Sequence, residues 1–296
     1  MRTDGPVLVA LAHSARSEHT LAWARGEAVR RGAELRLAAV VDPASEVATW
    51  SWAVVPPAVD ADADARAYLD ALATRERARP DAPPITTTVL HGAPADALRR
   101  ESGDAALLVV GAGSRGGGHV ARVAGHVAAH ARCPVAVVRD APTSTADGAP
   151  APVVVGVDGS AAAVAAAHVA ADAAARRGAV LRLVHARPSI PAPYGPVAVE
   201  LPPPDDLPAR RAADELVARL RAGHPGLVVD VRLVEDDPAH AIVTACVDAQ
   251  LAVVGSRGLG AFPGMLLGSV SHDVVRDAPC TVLVVHGAEV PTVQPA

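Results

Sequence analysis

The chain reads as an α/β protein made of two tandem Rossmann-like domains, each an open five-stranded parallel sheet with helices on both faces. Three observations carry that expectation. Short apolar runs alternate with longer segments of helical periodicity, the pattern of successive right-handed βαβ units. The pattern occurs twice, because PVLVALAHS at residues 6–14 lines up with PVVVGVDGS at 152–160, and RRGAELRL at 30–37 with RRGAVLRL at 176–183, 146 residues apart in both cases. Half of the residues are hydrophobic while aromatics make up only 2%. The cores must therefore rest on Ala, Val and Leu, as parallel sheets covered by helices often do.

Each half follows the same order. A first strand at 7–11 or 153–157 leads into a helix at 18–31 or 161–177, then a Gly-Ala pair and a second strand at 34–41 or 180–185. A Pro-rich loop (42–60; 187–205) precedes a helix at 61–79 or 206–223. The third strand, 85–90 or 228–234, runs into a segment with Pro94 or Pro238 in the first turn of a short helix. A fourth strand (105–110; 250–254), a glycine-rich loop, a helix and a last apolar strand complete the unit, and LVVG at 108–111 and CPVAVV at 133–138 reappear as AVVG at 252–255 and CTVLVV at 280–285. These landmarks divide the chain into domains at 1–141 and 151–296, joined at 142–150 by a stretch with the composition of a flexible linker.

Composition excludes several classes of function. All 27 basic residues are Arg, so a P-loop lysine is impossible. A formal net charge of −5 without a basic block argues against nucleic acid as partner. Cys133, Cys246 and Cys280 are widely spaced and odd in number, which suits reduced, buried thiols of a cytoplasmic protein; no CxxC or His-cluster spacing suggests zinc. No signal peptide or membrane span is expected: the Ala-rich run 161–175 contains His168 and Asp172 and reads as an ordinary helix. Asp60, Asp62 and Asp64 open like a calcium loop but have Ala65 and Ala71 where that loop needs Gly and Glu, so acidic residues at a helix start explain them.

The chemistry concentrates in the second half. Gly255, Gly258, Gly268 and Ser269 have the spacing G-x2-G-x9-G-S after a strand. Glycines there let backbone N–H groups approach an oxyanion, and a helix starting near Ser269 would aim its unpaired first-turn N–H groups at the same anion. Ligands of open α/β sheets bind beyond the carboxyl ends of the strands where the winding order reverses, which gathers Asp158, Ala186 and the glycine loop. Asp158 could accept hydrogen bonds from a ribose hydroxyl or a base amine; alone, it could also cap the helix beginning near Ser160.

On these residues, GSRG at 255–258 and GSVS at 268–271 above all, the chain resembles the universal stress proteins of the ATP-binding kind, over nearly its whole length. The resemblance implies a fold like the adenine nucleotide alpha hydrolases, with Asp158 contacting adenosine and the backbone at Ala186 meeting the adenine edge. It places Gly255, Arg257, Gly258, Gly268, Ser269, Val270 and Ser271 around the phosphates and ribose of ATP, with or without Mg²⁺. It also implies dimers formed through last strands: an internal pseudo-dimer through 134–138 and 282–285, and a homodimer of chains. The expected function is a stress-response regulatory module with no catalytic residues or metal ligands of its own; the alternative is a slow ATPase or nucleotidyl-transfer enzyme using the same pocket.

The first half departs from the pattern. Ala12 and His13 stand for Asp158 and Gly159, and alignment back from Cys133 puts Ala121 and Arg122 at the positions of Gly268 and Ser269, after a loop three residues shorter. GAGSRG at 111–116 satisfies GxGxxG but follows the fourth strand, and no acidic residue ends the next strand, so it reads as a degenerate copy of the cradle rather than a dinucleotide fingerprint. ATP is expected in the C-terminal domain only.

Overall fold

The computed structural model describes residues 5–12, 16–42, 60–113, 119–187, 207–260 and 266–286. Most of the Pro-rich loops and the centre of the degenerate loop, 114–118, lie outside them. The chain divides into two compact units, Met1–Asp140 and Ala141–Ala296.

The first unit runs β1 (Val7–Ala10), α1 (Arg16–Arg31), β2 (Leu35–Val41), α2 (Ala61–Arg77), β3 (Ile85–His91), α3 (Pro94–Glu101), β4 (Leu107–Gly111), α4 (His119–His130) and β5 (Val135–Val138). Its strands are parallel in the order β3-β2-β1-β4-β5. The second runs β6 (Val153–Gly156), α5 (Ala161–Arg177), β7 (Leu181–Arg187), α6 (Leu207–Gly223), β8 (Val229–Glu235), α7 (Pro238–Ala245), β9 (Leu251–Gly255), α8 (Ser269–Asp277) and β10 (Thr281–Val285). It repeats the topology as β8-β7-β6-β9-β10, again parallel within the unit. Each is the doubly wound sheet that the alternating pattern predicts.

Local chemistry explains the boundaries. Asp60 caps α2 by accepting from the Ala63 N–H at 3.0 Å, and Asp62 and Asp64 lie in the first turn. Ser160 caps α5 in the same way through Ala163. α3 and α7 begin with proline, whose missing N–H has no helical partner to lose there.

The central strands are buried on both faces: Val153, Val154 and Val155 of β6 and Ala252 and Val253 of β9 are completely inaccessible. Against them lies α5, whose buried face is alanine from Ala163 to Ala174. Small side chains let this helix sit so close to β9 that a Cβ built on Gly255 would lie 2.9 Å from the Ala162 backbone. All three cysteines are free and buried. Burial pushes the Cys133 thiol up to about 12, so it stays protonated at neutral pH.

One difference from the sequence reading lies in the linker. Its Pro, Gly and Ser content suggests a flexible connection, yet Thr145 N–H bonds to the Ala149 carbonyl at 2.8 Å, and Ser144 and Pro150 form an antiparallel bridge. The turn-forming residues are spent on a local turn.

Candidate nucleotide site

In the second unit the winding reverses at β6, which lies between β7 and β9, and open α/β sheets take their ligands beyond the carboxyl ends of the strands at such a point, here β6 and β9. Two residues past β6 stands Asp158, half-buried. Its Oδ1 accepts from the Ser160 N–H at 2.9 Å and its Oδ2 from the Leu259 N–H at 2.9 Å, so the carboxylate ties the strand end to the glycine loop 101 residues away. Burial raises the Asp158 carboxyl, but hydrogen bonds from the Ser160 hydroxyl and from the Ser160 and Leu259 N–H groups outweigh it and hold the group below its ordinary value. It is a carboxylate at neutral pH. With about four lone-pair positions on its two oxygens, it keeps capacity to accept from a ligand hydroxyl.

The glycines have three different reasons. Gly255 is required by the packing of α5, since its Cβ would strike Ala162. Gly258 is required by Asp158, because a Cβ there would lie 2.3 Å from Oδ2. Around Gly268 the nearest atoms to such a Cβ, Arg257 Cα and the Ser256 carbonyl oxygen at 3.7 Å, are in ordinary contact only. Of the three, Gly268 is the one that no described atom crowds.

Gly268 is also the N-cap of α8, which begins at Ser269 as the spacing predicts. Among the described residues no side chain caps this helix, since its N-cap is a glycine, in contrast to α2, α5 and α7, where Asp60, Ser160 and Asp237 do. The Gly268 N–H is held by the Ser256 carbonyl at 2.8 Å, which folds the loop back on itself and brings the start of α8 beside Arg257 and Gly258. The first intrahelical bond runs from the His272 N–H to the Gly268 carbonyl at 2.9 Å, so the N–H groups of Ser269, Val270 and Ser271 precede it at the positive end of the helix dipole. Arg257 is exposed beside it.

Ser271 has a different use from the one its motif suggests. Its side chain is buried, and its hydroxyl donates to the Gly255 carbonyl at 2.5 Å, stitching the loop to α8. Only its N–H remains for an anion. Ala186 lies near the carboxyl end of β7, in register with Val234 of β8. Sequence reasoning missed its neighbour His185, whose Nδ1–H donates to the Val157 carbonyl at 2.9 Å and fixes the strand end carrying Asp158. The bond crosses 28 residues of sequence, and no local signal announces it.

The first unit is built differently at the same places. Ala12, at the position of Asp158, has its carbonyl oxygen occupied by two hydroxyl donors, Ser17 and, at 3.2 Å, Tyr68. α4 ends at His130 and α8 at Asp277, equivalent positions, but α4 is 12 residues long and α8 only nine. The three extra residues put Ala121 and Arg122 inside the helix, where Gly268 and Ser269 stand at its mouth. His13 and the loop centre lie outside the described residues.

A tandem of doubly wound parallel α/β units, with a glycine loop and a helix N-terminus gathered at the strand-order reversal of the second, is the class of protein that fold and site define. The model of the Universal stress protein family matches residues 5–139 and again 151–286. Universal stress protein Rv2623 of Mycobacterium tuberculosis is 34% identical over 291 residues, covering 94% of this chain and 95% of that protein. Rv2005c of the same organism is 32% identical over 297 residues, covering 96% and 97%. The chain belongs to the universal stress protein family, as a tandem two-domain member. The crystal structure of a universal stress protein from Archaeoglobus fulgidus superimposes with a TM-score of 0.69 at 20% identity, over 97% of this chain and 98% of that one, in support of the fold.

Proposed function

We propose that the chain is a cytoplasmic regulatory protein that binds one ATP, with or without Mg²⁺, in its C-terminal unit. The observation that carries this is the convergence of an ionised Asp158 with an uncapped helix N-terminus on one glycine loop. One group accepts hydrogen bonds and the other donates them to an anion, which are the two demands of a nucleoside phosphate. In this reading Asp158 accepts from the ribose, the backbone at Ala186 meets the base, and the N–H groups of Ser269, Val270 and Ser271 hold phosphate. Arg257, exposed beside them, adds a positive charge. Gly255 and Gly258 keep the loop in place, and homodimers of the chain belong to the same proposal. Bound nucleotide stabilises one conformation of the loop and α8 and thereby a partner surface.

Thermal unfolding with and without ATP and Mg²⁺ tests the reading. Ligand at about 100 times its dissociation constant stabilises the folded state by roughly 2.7 kcal/mol. No shift at millimolar ATP refutes it, and steady release of ADP during the incubation would replace regulation with hydrolysis.

A further inference from the structure

The end of α4 carries two histidines one helical turn apart that the nucleotide reading does not use. The His126 and His130 rings stack with centroids 4.1 Å apart and planes 9° from parallel. His130 Nδ1 lies 2.8 Å from the His126 carbonyl oxygen. A carbonyl only accepts, so the neutral ring keeps its proton on Nδ1 and its Nε2 lone pair is free. Fixing a ring through its other N–H is what a metal-binding imidazole requires.

The electrostatic surroundings set this pair apart. Other histidines of the chain are tied to aspartates: His91 to Asp62 at 2.8 Å, His224 to Asp172 at 2.9 Å and His240 to Asp236 at 2.6 Å. His126 is exposed, His130 partly so, and neither has such a partner among the described residues. In the second unit the equivalent positions are Asp273 and Asp277, engaged by Arg276 at 2.8 and 2.7 Å. The copy with the degenerate cradle therefore carries two imidazoles where the other carries an arginine-bound carboxylate pair.

We propose that His126 and His130 form an open, two-imidazole site for a late first-row divalent cation such as Cu²⁺, Zn²⁺ or Ni²⁺. Metal–nitrogen bonds of about 2.0–2.1 Å put the two nitrogens about 3 Å apart, so the rings tilt toward each other from the observed stack, and water fills the other positions. Imidazole selects these metals over Mg²⁺ and Ca²⁺, which take oxygen, so the site is separate from any ion that accompanies a nucleotide. A bound cation bridges the last turns of α4 and stabilises the N-terminal unit.

The test uses the full chain, free of tag histidines, titrated with Cu²⁺ and with Zn²⁺. Wild type is compared with His126→Ala, His130→Ala and, as a control, His240→Ala. The expected result is a Cu²⁺ resonance spectrum with two nitrogen donors and at least about a tenfold loss of affinity in each of the first two variants, with His240→Ala unchanged. Zn²⁺ raises the unfolding temperature of wild type but not of the double variant His126→Ala/His130→Ala. Equal Cu²⁺ affinity in wild type and His126→Ala/His130→Ala, a one-nitrogen spectrum, or an equal loss in His240→Ala overturns the proposal.

Discussion

Substituting Gly258 by alanine isolates the contact on which the site geometry rests. The new Cβ falls 2.3 Å from Asp158 Oδ2 and 3.4 Å from its Cγ, and the backbone there lies outside the positive-φ glycines, so the contact alone carries the cost. A carbon and an oxygen tolerate about 3.3 Å, so the carboxylate oxygen or the loop must move by about 1 Å. That movement breaks the 2.9 Å bond from the Leu259 N–H. Loss of one hydrogen bond to a charged group costs about 1.5–3 kcal/mol, and 2 kcal/mol lowers the melting temperature of a domain of this size by about 4–8 °C. Combining Gly258→Ala with Asp158→Ala removes the collision, so the glycine substitution then costs under about 0.5 kcal/mol, a coupling of at least about 1 kcal/mol. Gly268→Ala, whose nearest described neighbours lie at 3.7 Å, serves as the steric control: it meets no collision and costs only the roughly 1 kcal/mol or less of an alanine at an N-cap, with or without Asp158. Thermal and urea unfolding of the four chains of this cycle measure the coupling. A Gly258→Ala cost that is the same with and without Asp158 refutes the reasoning.

Two further outcomes follow from the same geometry. Gly268→Glu places a carboxylate at the uncapped start of α8 and abolishes ATP binding, whereas Ala121→Glu, inside α4, leaves it unchanged; comparable losses in a direct binding titration would contradict the ranking of the two units. Asp158→Asn removes the charge but keeps the shape. Because the folded carboxyl lies below its ordinary value, the stability difference between wild type and Asp158→Asn is present above about pH 4 and is lost as pH falls through the folded value. Unfolding curves taken from pH 7 to 3 check it, and a difference that grows toward low pH has the wrong sign.

Much of the architecture is legible because it is written in short-range patterns. The alanine helix at 161–177, the start of α8 at Ser269 and the proline-led α3 and α7 depend on caps, proline and periodicity within a turn or two. Repetition then supplies the strand order of one unit from the other. What is not legible is which partner each residue meets across the sheet. The glycine spacing suggests one phosphate role, whereas Gly255 answers to Ala162 and Gly258 to Asp158, contacts about 100 residues away in sequence. Ser271 looks like a phosphate hydroxyl and instead bonds the Gly255 carbonyl. The hydroxyls that occupy the Ala12 carbonyl come from Ser17 and from Tyr68, 56 residues away, so at this position the sequence shows only the missing aspartate and not what takes its place.

The central claim is one nucleotide per chain, held in the second unit. Calorimetric titration of the purified full-length protein with ATP, after removal of any nucleotide carried through purification, counts the sites directly. The account predicts a stoichiometry of one that falls to zero in Gly268→Glu; two sites per chain, or one site that survives Gly268→Glu, would contradict it.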